Sequence, residues 1–337
     1  MTERIYTYSQ LSSKTVGHMV MSQYGFNENL TCRYYVRGMH DNYLIESDGQ
    51  KYILRIYRNN CRTEEEILFE LEWLGFLKNK TDLVAEIIET KDGNLAFQFD
   101  SPEGIRFASI FRYASGSPPG NTINVNGSEL LGEAAAYIHN FSDTFLPQRT
   151  RQALDIHYLL DDSIRAIEPF LDKEGYAYLR DVHEQLYNSM PILKKQPGIY
   201  GLCIGDVNPS NFHINKNNEI TIFDFDQCGY GYRAFEIGKF FSSVRNHNDK
   251  QVITDSFLKG YQSIRPLSQP EHDSIPYFEI ISVIWVMAIQ VANSDLIGYK
   301  YLEKPAWDMR LSSLKKLVSA WPSKSLQSTP KSGAAEL

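Results

Sequence analysis

Asp206, Asn211 and Asp224 are the residues of this 337-residue chain whose types and spacing could do chemistry. They fall in the stretch GLCIGDVNPSNFHINKNNEITIFDFDQCGYGYRAFEIGKFF, residues 201–241. A carboxylate can take the proton of a hydroxyl, while a second carboxylate and a carboxamide oxygen are hard ligands suited to the octahedral shell of Mg2+. Phosphoryl transfer from ATP makes those demands, because its charge spreads over oxygens that must be neutralised. The competing reading is structural: Asp, Asn and Gly gather in tight turns for conformational reasons alone.

Spacing separates the two readings. Asp206 and Asn211 stand in the order D-x-x-x-x-N, the interval of a kinase catalytic loop, and Asp224 follows an Asn-rich turn and the β-like run 219–223. Taken singly, each element is weak. Together, with Gly205 before them and Asp226-Gln-Cys-Gly after, they form a specific pattern that needs a strand-loop-strand context. Asp226 reads equally as a metal contact or as a hydrogen-bonding residue that shapes the loop.

The elements that must hold these groups follow from periodicity. Apolar spacing predicts a helix over residues 11–24, then three strands within TCRYYVRGMHDNYLIESDGQKYILRIYR. A turn at 38–42 joins the first two, and Ser47-Asp48-Gly49-Gln50 is a hairpin signal. Thr63 and Glu66 form a capping-box pattern at the head of the helical run ILFELEWLGFLK. Strands are expected at 94–99 and 106–113, followed by the Gly/Pro/Ser-rich connection ASGSPPGN. Helices are expected at 128–141, 155–171, 175–190, 250–261, 277–293 and 307–320. The polar tail 322–337 is expected to be unstructured. The chain therefore divides into a strand-rich N-terminal lobe at 1–113, a mainly helical lobe at 114–321 and the tail: an α+β, two-lobe arrangement.

Composition narrows the function classes. Hydrophobic residues are 42% and charged residues 22%, the balance of a folded globular chain. A net charge of −7 argues against non-specific nucleic-acid binding, which needs a basic face. The four cysteines form no C-x-x-C pair, so neither a zinc ligand set nor a disulfide framework is suggested. The N-terminus lacks the apolar core of a signal peptide, and the apolar run IISVIWVMAI is too short for a membrane span. A cytoplasmic protein without membrane or nucleic-acid partners is expected.

The stretch GDVNPSNFHI…ITIFDFDQCGYGYRAFEIGKFF resembles the H-G-D-x-x-x-x-N…I-D-F/W-D signature of the aminoglycoside phosphotransferase and choline kinase-like superfamily. It is most similar to the branch of type II homoserine kinases and bacterial stress-response kinases. The resemblance runs over roughly residues 25–245 and implies a protein-kinase-like fold. It makes Asp206 the catalytic base and Asn211 and Asp224 the Mg2+ ligands, with Glu236 in place of a structural Asp. In YILRIYR it puts Arg55 where a phosphate-pairing Lys usually lies. Glu70 becomes its partner, the turn from Gly38 covers the nucleotide, ASIFRYASG is the hinge, and LGEAAAYIHNF is the helix after it. Two positions depart from the pattern. Ile204 replaces the His before Gly-Asp, which loosens the loop or is made good by packing, and Arg55 keeps the charge of Lys with a planar head.

The expected function is an ATP- and Mg2+-dependent phosphotransferase acting on a hydroxyl of a small molecule: an aminoglycoside, an amino alcohol or a homoserine-like compound. The alternatives are a protein Ser/Thr kinase of the stress-response type and a catalytically silent nucleotide-binding protein. His139 and His213 read as packed histidines. The aromatic residues Tyr277, Phe278, Trp285, Tyr299, Tyr301 and Trp307 read by spacing as core, although this region would form the acceptor pocket of the resembling family.

Overall fold

The computed structural model describes residues 5–119 and 123–321, so the expectation for the tail lies outside the described residues. Helix α1, Ser13–Tyr24, starts where the Ser12 side chain accepts from Thr15 N and stops at Gly25, whose φ of 75° ends the helix. Strands β1 (Thr31–Arg37), β2 (Asp41–Ser47) and β3 (Gln50–Ile56) form the expected antiparallel meander. Asp48 and Gly49 both take positive φ in the second turn, as the hairpin signal requires. Helix α2, Glu64–Lys78, opens with the capping box between Thr63 and Glu66.

Strands β4 (Ile87–Ile88), β5 (Phe97–Ser101) and β6 (Gly104–Arg112) complete a six-stranded sheet of order β1-β2-β3-β6-β4, with β5 on β6. The strand expected at 94–99 is displaced, because Thr90 Oγ1 accepts from Asn94 N and folds that segment into a turn. Alternation along β2 and β3 turns Tyr43, Ile45, Leu54 and Ile56 into one core with Val16 and Val20 of α1. Arg55 therefore faces the opposite side, towards α2. The apolar face of α2 (Ile67, Phe69, Leu71, Trp73, Leu74 and Leu77) belongs to a second core shared with the helices that follow.

Those helices are α3 (Val125–Ser142), α4 (Ser163–Ile167), α5 (Lys173–Ser189), α6 (Arg233–Ser243), α7 (Lys250–Ile264), α8 (Gln269–Ala292), α9 (Ser294–Ile297) and α10 (Lys304–Ser319). The single helix expected over 155–171 is instead composite. A π-helical turn at His157–Asp162 precedes α4, and a 3-10 turn containing Pro169 closes it. Helix α8 begins earlier than expected, at a second capping box between Ser268 and Glu271, and runs through Pro276. It is long and apolar enough to cross a membrane by length and composition. Ile281, Ile284 and Trp285 are nonetheless buried in the second core, as a core helix requires. The connection after β6 is not a free tether: Ser117 pairs with Ile214, and His213 Nδ1 donates to the carbonyl of Ala114 at 2.9 Å.

Between α5 and α6 the chain lays down two short antiparallel ladders, β7 (Tyr200–Cys203) with β10 (Gly229–Tyr232) and β8 (Phe212–Ile214) with β9 (Ile220–Ile222). The loops joining them carry the candidate residues.

Candidate active site

The β8–β9 hairpin sets the first part of the geometry. Its register pairs Phe212 with Ile222, and beyond that pair Phe223 N donates to the Asn211 carbonyl at 2.9 Å. Asn211 and Asp224 are thereby drawn to one end of the same ladder. The Asn211 amide nitrogen donates to the Asp206 carbonyl and to Asp206 Oδ2, both at 3.0 Å. That use of Nδ2 leaves the amide oxygen, to which Ser210 Oγ donates at 3.4 Å, as the group that could also meet a cation.

The loop from Gly205 to Asn211 is itself fixed by its surroundings. Gly205 has φ of 86°, and a side chain there would collide with the Gln227 carbonyl, so the D-x-x-x-x-N loop can lie against the chain after Asp224 only with glycine at this position. Glu236, in the first turn of α6, accepts from Gly205 N at 2.9 Å and from Ile204 N. Burial pushes the Glu236 carboxyl up to about 7, against the pull of those two amides. His139 of α3 lies beneath, with Nδ1 2.8 Å from the Tyr261 hydroxyl and Nε2 3.4 Å from Glu236. Burial, with the charges of Arg233 and Arg265, holds its imidazole well below the ordinary histidine range, so the contact with Glu236 is a hydrogen bond rather than an ion pair. The Ile204 side chain is fully buried. Packing and the Glu236 clamp thus take over the bracing associated with a His at that position.

From the sheet, Arg55 reaches two carboxylates. Its Nη1 donates to Glu70 Oε1 and its Nη2 to Asp224 Oδ1, each at 2.9 Å. Burial acts to lower the Arg55 pKa, but Asp224 and Glu70 outweigh it and hold the guanidinium above its usual range. Burial pushes the Glu70 carboxyl up to about 7, with Arg55 pulling the other way. Glu70 is wholly buried, whereas the Asp224 side chain is 46% exposed and keeps one oxygen outside the ion pair. Asp224 also has φ of 65°, a backbone region that non-glycine residues seldom occupy and that clusters at functional sites.

Of the residues singled out in the sequence, Asp206, Asn211, Asp224, Arg55 and Glu70 are linked by these contacts. Gly38 sits apart in the β1–β2 turn, with nothing within 4 Å of where a side chain would stand. Its turn is tied to the site by His40, which periodicity had not marked. His40 Nδ1 accepts from Arg58 N at 3.2 Å, leaving Nε2 to donate to Asp226 Oδ1 at 3.0 Å. Arg62 Nη2 meets the other Asp226 oxygen at 3.0 Å. Burial would raise the Asp226 carboxyl, but His40 and Arg62 outweigh it and hold it well below the ordinary range. Of the two readings open for Asp226, the geometry realises the hydrogen-bonding one.

Sequence reasoning also passed over Lys239. Its Nζ lies 2.6 Å from Asp206 Oδ1, although the residue is only 5% exposed. The available signal was one cation inside the apolar helical run AFEIGKFF.

A sheet carrying a buried Arg–Glu pair, in contact through Asp224 with loops of the helical region that also hold Asp206 and Asn211, is the arrangement expected of a two-part phosphotransferase. Comparison with known proteins gives the family. The chain matches the family model "Phosphotransferase enzyme family" over residues 35–267 and belongs to that family. An uncharacterized protein of Synechocystis sp. is 36% identical over 93% of this chain and 87% of its own length. The amicoumacin kinase of Bacillus subtilis is 24% identical over 71% of this chain and 73% of its own. Among solved structures, a microcompartment-associated aminopropanol kinase superposes with a TM-score of 0.76 at 21% identity, covering 90% of this chain and 95% of that one. An amicoumacin kinase in complex with AMP-PNP, Ca2+ and Ami gives 0.77 at 20% identity, covering 93% and 95%. The solved structures establish the α+β kinase-like fold, and the family match establishes the phosphotransferase class.

Proposed function

We propose that this protein transfers the γ-phosphoryl group of ATP, with Mg2+, to a hydroxyl of a small molecule such as an amino alcohol, an aminoglycoside or a homoserine-like compound. The observation that carries the reading is the hydrogen-bonded pair of Asp206 and Asn211 beside the Arg55–Glu70–Asp224 ion-pair chain. In this reading Asp206 orients the acceptor hydroxyl and accepts its proton. Arg55, held by Glu70, steadies the nucleotide phosphates, and the β1–β2 turn at Gly38 covers them.

The donor set fits a hard divalent cation: the Asn211 amide oxygen and the half-exposed Asp224 carboxylate would hold Mg2+. When bound, the ion would neutralise charge on the phosphate oxygens. The complex of the similar amicoumacin kinase with AMP-PNP and Ca2+ supports a nucleotide and a divalent ion here. The aminopropanol kinase supports a small hydroxyl acceptor. A small acceptor also agrees with the short segment between Asp224 and α6. Half of it, Gly229–Tyr232, is held in the β7–β10 ladder.

The test is a phosphoryl-transfer screen with Mg2+-ATP over amino alcohols, aminoglycosides and hydroxyl amino acids, read by mass spectrometry of the acceptor. Phosphorylated product is expected from the wild type and none from Asp206→Ala, which retains AMP-PNP binding. A wild type that modifies no acceptor and releases no ADP refutes the proposal.

A further inference from the structure

We infer that Lys239 is a positioning residue for the transfer step, acting from α6 to fix the carboxylate of Asp206. The inference rests on the phosphotransferase reading above. A lysine this deeply buried is rare unless paired, and Asp206 is its ion-pair partner among the described residues, at 2.6 Å. With Lys239 on Oδ1 and Asn211 on Oδ2, each oxygen of Asp206 has a fixed donor, so the carboxylate is held against rotation.

The helix that supplies Lys239 cannot easily yield. Gly238 lies so close to the α8 backbone at Phe278 and Glu279 that a side chain there would collide with it. Phe240, on the other side of Lys239, stacks on Phe257 with ring centroids 4.2 Å apart. Three residues earlier on α6, Glu236 is committed to the backbone amides of Ile204 and Gly205. One rigid helix thus grips the catalytic loop twice. Glu236 holds the main chain and Lys239 holds the reacting side chain.

What the contact supplies is orientation of the carboxylate. Orientation is the larger need. In a loose phosphoryl-transfer transition state the proton moves late, and positioning supplies most of the catalysis. The step balances simply: the acceptor oxygen forms its bond to the γ-phosphorus, the bond from that phosphorus to the bridging oxygen breaks, ADP leaves with the electron pair, and the hydroxyl proton goes to Asp206.

A double-mutant cycle tests the assignment, with Mg2+-ATP and water as acceptor and ADP release as the readout. Lys239→Met is expected to lower kcat at least tenfold while KM for ATP stays within threefold. In an Asp206→Asn background the same change should lower kcat less than threefold, because the group it acts through is gone. Lys239→Arg, which keeps the charge, should remain within tenfold of wild type. The assignment is overturned if Lys239→Met leaves kcat unchanged, if it costs the same factor with and without Asp206, or if Arg is as impaired as Met. Where Lys239→Met does not fold, Lys239→Gln takes its place in the cycle. A wild type that releases no ADP with water or with any acceptor of the screen above refutes instead the phosphotransferase reading, and this assignment with it.

Discussion

Arg55 donates to Asp224 at 2.9 Å, joining a strand of the N-terminal sheet to the loop that closes the motif region. The same guanidinium holds Glu70 at 2.9 Å through its other nitrogen. Its planar fork serves two carboxylates at once, which the point charge of lysine does less well. Replacing Arg55 by Ala would leave Glu70 as a buried carboxyl without its cation. We expect a loss of about 3–5 kcal/mol of stability, with much of it recovered in Arg55→Ala/Glu70→Gln. Arg55→Lys should fold and show a KM for ATP raised about tenfold. Thermal melts and ATP titrations of the three variants decide the matter.

Asp224 is the exposed end of that chain, and its substitution by Asn should act on metal-dependent nucleotide binding before it acts on the fold. The expected result is at least about a tenfold weaker binding of Mg2+-AMP-PNP with a melting temperature within a few degrees of wild type. Chelation of Mg2+ should abolish the difference between wild type and variant. Calorimetric titration with and without the ion measures both effects.

Glu236 makes stability depend on pH. Its carboxyl is pushed from 4.5 to about 7 by burial, so between those values the native state keeps a proton that the unfolded chain has lost. Stability from this group is full below pH 4.5 and is lost as pH rises through 7. The span corresponds to about 3 kcal/mol. Glu236→Gln should remove that slope, so the difference in stability between wild type and variant should change in the variant's favour from pH 5 to pH 8. Denaturant melts across this range would show a constant difference if Glu236 does not titrate there.

Gly205→Ala forces a side chain into positive φ and against the Gln227 carbonyl. A loss of about 1–3 kcal/mol is expected from the backbone alone. Because Asp206 is the next residue, kcat should fall more than tenfold. Comparison with Gly38→Ala, where the space is open, separates the two causes, since that variant should melt close to wild type.

Much of this was legible in the sequence for local reasons. The Asp48-Gly49 turn and the Thr63/Glu66 cap write their geometry in adjacent residues, and both appear as expected. The loop spacing of Asp206, Asn211 and Asp224 is equally local, because one hairpin register brings the last two together. What escaped depends on distant partners. His40 meets Asp226 across 186 residues, and no pattern near His40 announces it. Lys239 is a lone cation in an apolar helical run, and its partner Asp206 stands on a different element far back in the sequence. The broken helix at 157–170 escaped for another reason: π and 3-10 turns keep nearly the same apolar spacing as an α-helix over so short a span.

Helix α2 shares its apolar side with the helical region, while β3 gives its apolar side to the core under α1. Arg55 leaves β3 on the other side, over the rings of Tyr57 and Phe111, and meets Glu70 within the core that α2 shares with the helices. The pair is thus embedded in apolar packing that holds the sheet against α2, since Tyr57 and Phe111 share one core with the apolar face of that helix. Strand and helix are therefore kept in one piece at the buried Glu70 end, and only the half-exposed Asp224 end is open to respond to what arrives from outside.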